Sequence, residues 1–406
     1  MSKHVMVFGG FFPLHERLVE MGASLTILTT TDKIKAHYPK IYKRVVTLEK
    51  GAKREDWIAM AKAIDEIEKV DAIGAFQDYL QKEAAWAAEA LNLPFDNTAD
   101  VVRLVENKNL MRDRLRAAGV DKIKNAVINN IEEALAFVSE VSYPVILKPT
   151  DSMGSTGIYK IENEKELREK ISDFKSKYPH LQMYMEEFIE GEEFSVEAFS
   201  KNGTHYVYGI TKKYKELERF VEIGHTVPAD IRSEKEQEIK SFVEKVLTCL
   251  GVMNGPTHTE VMISKDGIHV VETHTRLGGD MIPELYSYSV NNKVDILDLV
   301  ARHTLGENVM EEFKKHFKGE KEIFASIFYK IPEKLGVVKR ISGLSEAKAK
   351  EGVQQVELSV KEGDKVTELL NSFTRLGFAI ATGRTAEESL QRAKEAINSI
   401  EMEIEE

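Results

Sequence analysis

Apolar positions recur along this chain in two rhythms. The runs HVMVF (4–8), SLTILTT (24–30), RVVTLE (44–49) and DAIGAF (71–76) are short and rich in β-branched residues, the pattern of buried strands. Between them HERLVEMG, EDWIAMAKAIDEIEK and YLQKEAAWAAEAL place apolar residues three and four apart, as one face of a helix requires. This alternation predicts a Rossmann-like α/β unit with a parallel sheet over residues 1–100. Gly9-Gly10 closes the first run without the spaced G-x-G-x-x-G of a dinucleotide site, and the pair reads as a tight strand-to-helix turn.

Beyond residue 100 the strands no longer alternate regularly with helices. ENKNLMRDRLRAAGV (106–120) predicts an amphipathic helix with Leu110, Met111, Leu115 and Ala118 on one face and Gly119 as its stop. Strands follow at NAVIN, YPVILKP, GIYKI, MYMEEFI, EFSVEAFS, HYVYGITKK, FVEIGHTVPA, THTEVMISK and GIHVVETHT, with helices at IEEALAFVSEV, EKELREKISDFKSKY and SEKEQEIKSFVEKVLTCLG. The mixture predicts an α+β unit over residues 101–319. A small α+β unit over 320–406 completes the chain, with strands FASIFYKIP, GVVKRIS, VQQVELSV and GFAIATG, a closing helix TAEESLQRAKEAINSIEMEIEE and a frayed acidic end.

A chain of 406 residues exceeds one ordinary core, which agrees with three units. Its formal net charge of −11 argues against a dedicated nucleic-acid or membrane-surface binder, while a local basic groove for a polyphosphate stays open. The single cysteine, Cys249, excludes an intramolecular disulfide and a cysteine metal cluster. With no signal pattern and no apolar window of membrane length, a cytoplasmic protein is expected.

The candidate chemistry is carried by polar residues on apolar strands. Lys148 ends VILKP, where its ammonium needs an anion or a path to water. The loop after it, Ser152-Met153-Gly154-Ser155-Thr156-Gly157, can set successive N–H groups and hydroxyls around a polyphosphate, although a plain turn has the same composition. In YMEEFIEGEEFSVE, Glu186 and Glu193 are candidates for polar contacts to a nucleoside, against the alternative of surface charge. Glu260 and Glu272 flank an Asp266-Gly267 turn at about equal distances, so a hairpin brings them nearly opposite. Like charges that close call for a cation between them, and hard oxygen ligands with a polyphosphate mean magnesium. His274 shares the strand face of Glu272; Arg276, two residues on, suits phosphoryl or acyl-phosphate oxygens, and Gly278-Gly279 permits close backbone approach. His225 and His258 are looser candidates, with no hydrolase or zinc motif beside them.

Taken in order, ENKNLMRDRLRAAGV, YPVILKPTDSMGSTGI, YMEEFIEGEEFSVE, TEVMIS and VVETHTRLGG resemble the ATP-grasp superfamily of carboxylate–amine ligases. Within it the GHTVPA segment and the E-x-x-x-R-L-G-G stretch are most similar to the dipeptide-forming L-amino acid ligases. The resemblance implies a three-domain architecture, with the grasp domain over 101–319 and a lid subdomain over about 122–192. It implies ATP contacts from Lys108, Lys148 and the loop Ser152–Gly157, an adenine site at Glu186 and the Glu187-Phe188-Ile189 backbone, and a ribose ligand at Glu193. Glu260 and Glu272 match the magnesium ligands, with manganese as a substitute metal, and Arg276 the arginine that holds phosphate and intermediate. His274 stands where the family often has asparagine, so its metal role does not carry over directly. Gly278, Gly279, His225 and His258 fall to the substrate side, and a homodimer is the implied assembly. The implied reaction joins a carboxylate, an amino acid, to an amine through an acyl phosphate; a bicarbonate- or formate-using relative and a non-catalytic ATP-binding protein are the alternatives.

Overall fold

The computed structural model describes residues 2–35, 40–150, 157–216, 219–319 and 322–405. Strands His4–Phe8, Ser24–Thr30, Tyr42–Leu48 and Ala72–Ala75 form a parallel sheet, with His4–Phe8 between Ser24–Thr30 and Ala72–Ala75. One face carries Met6, Phe8 and Leu28 against Trp57, Ala61 and Ala84 of the flanking helices Arg54–Ile67 and Gln81–Leu91. The other turns Val5, Val7, Leu25 and Ile27 into a core shared with Leu285, Val300, Ile327 and Ile380. Burial on both faces explains why His4–Phe8, Ser24–Thr30 and Ala72–Ala75 read as continuous apolar runs, whereas the edge strand Tyr42–Leu48 is only partly buried.

An eight-stranded antiparallel sheet forms the middle of the molecule. Its order is Gly267–His274, Gly255–Ser264, Glu192–Lys201, Thr204–Lys215, Glu222–Val227, Phe324–Lys330, Gly377–Gly383 and Val353–Leu358. Residue 320 therefore divides the sequence pattern but not the sheet, because Phe324–Lys330 pairs directly with Glu222–Val227. A separate four-stranded antiparallel sheet, Asn125–Ile128, Met183–Glu187, Val145–Pro149 and Tyr159–Ile161, packs under helices Ile131–Val141 and Glu164–Lys177 with a core of its own.

Several elements lie outside the sequence expectation. Ala99–Glu106 is a helix capped by Thr98, and Ile282–Ser289, Ile296–Thr304 and Met310–Phe317 are three more, carrying Leu285, Val300 and Phe313 into the shared core. The chain end is a correction. The closing helix stops at Asn398, and Glu401–Glu405, expected to continue it and fray, is a strand antiparallel to Gly336–Ser342. Its side chains alternate, with Met402 and Ile404 packed against the Val338 cluster and the glutamates exposed, a period of two that no helix face can use.

Candidate active site

Glu260 and Glu272 are direct cross-strand partners in the hairpin closed at Gly267, and a bulge follows Glu260. Each carboxylate has a cation beside it. Lys213 Nζ lies 2.5 Å from Glu260 Oε1 and Lys108 Nζ 2.9 Å from Glu272 Oε2. Burial works against both charges, but Lys213 holds Glu260, and Lys108 with His274 hold Glu272, well below the ordinary carboxylate range. Two ionised carboxylates facing each other on adjacent strands are hard oxygen donors of the kind magnesium takes, so the pair fits a divalent cation. Lys108 reaches them because Asn107 caps the helix Lys108–Ala117, accepting from Leu110 N at 2.9 Å and fixing the lysine in the first turn.

His274 sits between two carboxylates, its Nε2 3.2 Å from Glu272 Oε1 and its Nδ1 2.8 Å from Asp78 Oδ1. It thereby links the hairpin carboxylate to the residue that holds Arg276. Asp78 also takes Arg276, whose Nε and Nη2 lie 2.8 Å from Asp78 Oδ2. The acidic residue after the last parallel strand thus fixes the arginine of the central sheet.

Lys148 is buried and lies 2.5 Å from Glu186 Oε1. Burial lowers its pKa, with Lys108 and Arg112 adding to the effect and Glu186 opposing it. Glu186 in turn takes Arg112 Nη2 at 2.9 Å and the Tyr184 hydroxyl at 3.2 Å. Expected at the adenine site, the Glu186 side chain is a buried counter-ion for Lys148. The Glu187 side chain is likewise occupied, accepting from Lys124 N at 2.6 Å, while the Phe188 ring lies under Lys160 Nζ at 4.4 Å. Ile189 follows in the connection to Glu192–Lys201.

Glu193 pairs with Lys213 at 2.8 Å and Lys215 at 2.5 Å. Lys213 also lies 3.1 Å from Glu222, so one buried ammonium serves Glu193, Glu222 and Glu260, whose oxygens come within 4.8 Å of one another. Those three carboxylates lift Lys213 well above its usual value against the cost of burial.

His258 and His225 join the same face. His258 Nδ1 lies 2.9 Å from Glu197 Oε1 and its Nε2 3.4 Å from Glu260; burial opposes its charge, but Glu197 raises it to about 9. His225 is the cross-strand partner of Lys213 and its Nε2 lies 2.9 Å from Asp280. Gly278 is a close approach, since a Cβ there would lie 2.9 Å from His258 Nδ1, whereas Gly279 faces open space. Of the predicted loop, Gly157 adopts φ +73°, and Ser152, Gly154, Ser155 and Thr156 lie outside the described residues.

The structure thus brings together Lys108, Lys148, Glu186, Glu193, Glu260, Glu272, His274, His258 and Arg276. Sequence reasoning missed Asp78, Arg112, Lys213 and Asp280. Arg112 had a signal, a charge among Met111 and Leu115 on the apolar helix face; Lys213 had the spacing of Thr211, Lys213 and Lys215 on one strand face.

Residues 141–284 match the model of the ATP-grasp domain and residues 329–405 that of L-amino acid ligase C-terminal domain 2. Over 258 residues the chain is 28% identical to alanine–anticapsin ligase of Bacillus subtilis, covering 57% of this chain and 54% of that protein. Dapdiamide A synthase of Enterobacter agglomerans is 24% identical over 202 residues, 48% of each. The chain spans about half the length of these curated relatives. The crystal structure of an L-amino acid ligase from Bacillus licheniformis superposes with a TM-score of 0.85 at 22% identity, covering 100% of this chain and 99% of the other, so the two share a fold. Among the described residues no helix is long and apolar enough to cross a membrane.

Proposed function

For a chain that carries an ATP-grasp domain followed by an L-amino acid ligase C-terminal domain, we propose ATP-dependent formation of an amide bond between an amino-acid carboxylate and an amine. ADP and phosphate are the other products. The observation that carries this reading is the opposed pair Glu260 and Glu272, with Lys108 beside it, Lys148 held by Glu186, and Arg276 held by Asp78.

Magnesium, with manganese as a substitute, is proposed at Glu260 and Glu272, where it supplies neutralisation of phosphate charge. Lys108 and Lys148 bring two further positive charges to the polyphosphate, and the 152–157 loop is proposed to cover it. The Glu187–Ile189 backbone and Glu193 are proposed for adenine and ribose. The γ-phosphoryl group moves to a carboxylate oxygen of the first substrate, giving an acyl phosphate and ADP. The amine nitrogen then attacks the carbonyl carbon, and phosphate leaves with the C–O bonding pair. Arg276 offers a planar fork of donors to the acyl phosphate and to the oxyanion formed on attack. Because these groups act by position and charge, Asp78 and Glu186 matter as much as the residues they hold.

The test is ADP release by the purified protein over pairs of amino acids, with the ligated product identified by mass spectrometry. Release that depends on both a carboxylate and an amine, and is lost with chelator, is expected. ATP binding without such release for any pair would remove the ligase reading; release dependent on bicarbonate alone would replace it with carboxylation.

A further inference from the structure

One buried group on the site's face has no task in the steps above. His225 is 2% exposed, and its Nε2 lies 2.9 Å from Asp280 Oδ2. Its Nδ1 is enclosed and has no hydrogen-bond partner among the described residues. The partner of Nε2 is itself firmly fixed. Asp280 follows Gly278-Gly279 in the left-handed region at φ +52°, a conformation that aspartate tolerates better than most residues. Arg375 grips its carboxylate with a two-pronged contact, Nη1 to Oδ2 at 2.8 Å and Nη2 to Oδ1 at 2.7 Å.

Arg375 comes from the segment matched to the C-terminal domain, and every donor nitrogen of its guanidinium is engaged. Nε donates to Ser372 O at 2.7 Å, Nη1 also to Glu222 O at 3.1 Å, and the plane stacks 3.6 Å above the Tyr329 ring. Glu222 is one of the carboxylates on Lys213, which is paired across the strands with His225. The network therefore runs from the C-terminal segment to the face that holds Glu260. The Asp280 carboxylate can only accept, so this contact takes an N–H from Nε2, and Nδ1 has no partner among the described residues.

We propose that Asp280 and Arg375 are positioning residues that hold His225 with its proton on Nε2, so that Nδ1 accepts a hydrogen bond from an N–H of the attacking amine. The role rests on the ligase reading. It gives the C-terminal segment a part in aminolysis, through Arg375, that a packing domain lacks.

The test compares Asp280→Asn, Arg375→Lys and His225→Gln with the parent, using product formation from an active amino-acid pair, thermal unfolding, and nitrogen-15 shifts of labelled histidines. The parent is expected to show an Nε2-protonated His225. Asp280→Asn can donate to Nε2 and so favours the other tautomer; its melting temperature should fall, because Arg375 loses its counter-charge, and kcat for ligation, measured well below that temperature, should drop about 10²-fold with KM for ATP within about twofold. Arg375→Lys keeps the charge without the fork and should fall between it and the parent. A kcat that survives Asp280→Asn, a loss that only tracks the melting temperature, or an Nδ1-protonated His225 in the parent overturns the proposal. If the parent ligates no pair, the functional reading fails by itself, and the histidine shifts still decide the positioning.

Discussion

At the scale of single residues the site is a set of cations and carboxylates that hold one another, and most of its vulnerability lies in those contacts. Arg276, fixed by Asp78, is assigned to oxygens that gain charge during the reaction. Arg276→Ala should therefore lower kcat by about 10²- to 10³-fold while leaving ATP affinity, measured by calorimetric titration, nearly unchanged. Equal loss of both would remove the role. The two glycines after it should behave differently: a methyl at Gly278 meets His258 Nδ1 at 2.9 Å and Glu197 Oε2 at 3.2 Å, but one at Gly279 meets nothing within 4 Å. Gly278→Ala should cost about 1–3 kcal/mol in denaturant unfolding and impair turnover, whereas Gly279→Ala should leave unfolding unchanged. Stability should also report Asp121, buried behind the site between Arg112 at 3.0 Å and His269 at 3.1 Å. Burial alone would raise this carboxyl, yet His269 and Arg112 pull it from 3.8 to about 2. A depressed folded pKa means stability that is complete above pH 3.8 and is lost as pH falls through about 2, worth about 2 kcal/mol. Melting temperatures taken between pH 5 and 2 should fall, and the fall should be shallower in Asp121→Asn. An unchanged slope would show that other carboxylates set the acid limit.

At the scale of elements, what was legible is what local periodicity controls. The opposed glutamates were readable because a DG turn and apolar alternation fix the hairpin register. Lys148 was readable as a charge at the end of an apolar strand, whereas Lys108 was reached only through the resemblance of the ordered motifs. Asp78 and Asp280 were not, because each lies in a connection whose position is set by a distant partner, His274 and Arg276 for one, His225 and Arg375 for the other. The tail shows the same limit. EMEIEE after a helix reads as a charged fraying end, and only the Gly336–Ser342 strand beside it makes its alternation meaningful. Ile404→Glu should therefore speed amide exchange across residues 336–342 and lower stability by about 1 kcal/mol, whereas Glu403→Lys, on the exposed side, should leave both unchanged. Equal effects from the two would mean that the tail carries no packing.

At the scale of the molecule, the cores divide the chain differently from the sequence pattern. One apolar cluster takes Val5 and Leu25 from the parallel sheet, Leu285 and Val300 from the helices after the glutamate hairpin, and Ile327 and Ile380 from the last segment. Residues expected in three separate units therefore share one interior. The sheet of Asn125–Ile128, Met183–Glu187, Val145–Pro149 and Tyr159–Ile161 is the exception, with a core drawn wholly from residues 126–185. Polar contacts join it to the helix Lys108–Ala117, Arg112 donating to Glu186 at 2.9 Å and Asn125 Nδ2 to Asn109 Oδ1 at 2.9 Å, while Arg112 also donates to the Val270 carbonyl. A body with its own core and a charged seam can open without exposing the shared interior, so hydrogen exchange should show residues 125–187 opening at lower free energy than strands 4–8 and 324–330. Because Lys148 and Glu186 lie on this body and Glu260 and Glu272 on the other, MgATP bound between them should raise protection of 125–187 selectively. Uniform protection of all three regions, in the presence or absence of nucleotide, would mean a single cooperative unit and would argue against a lid that moves in the reaction.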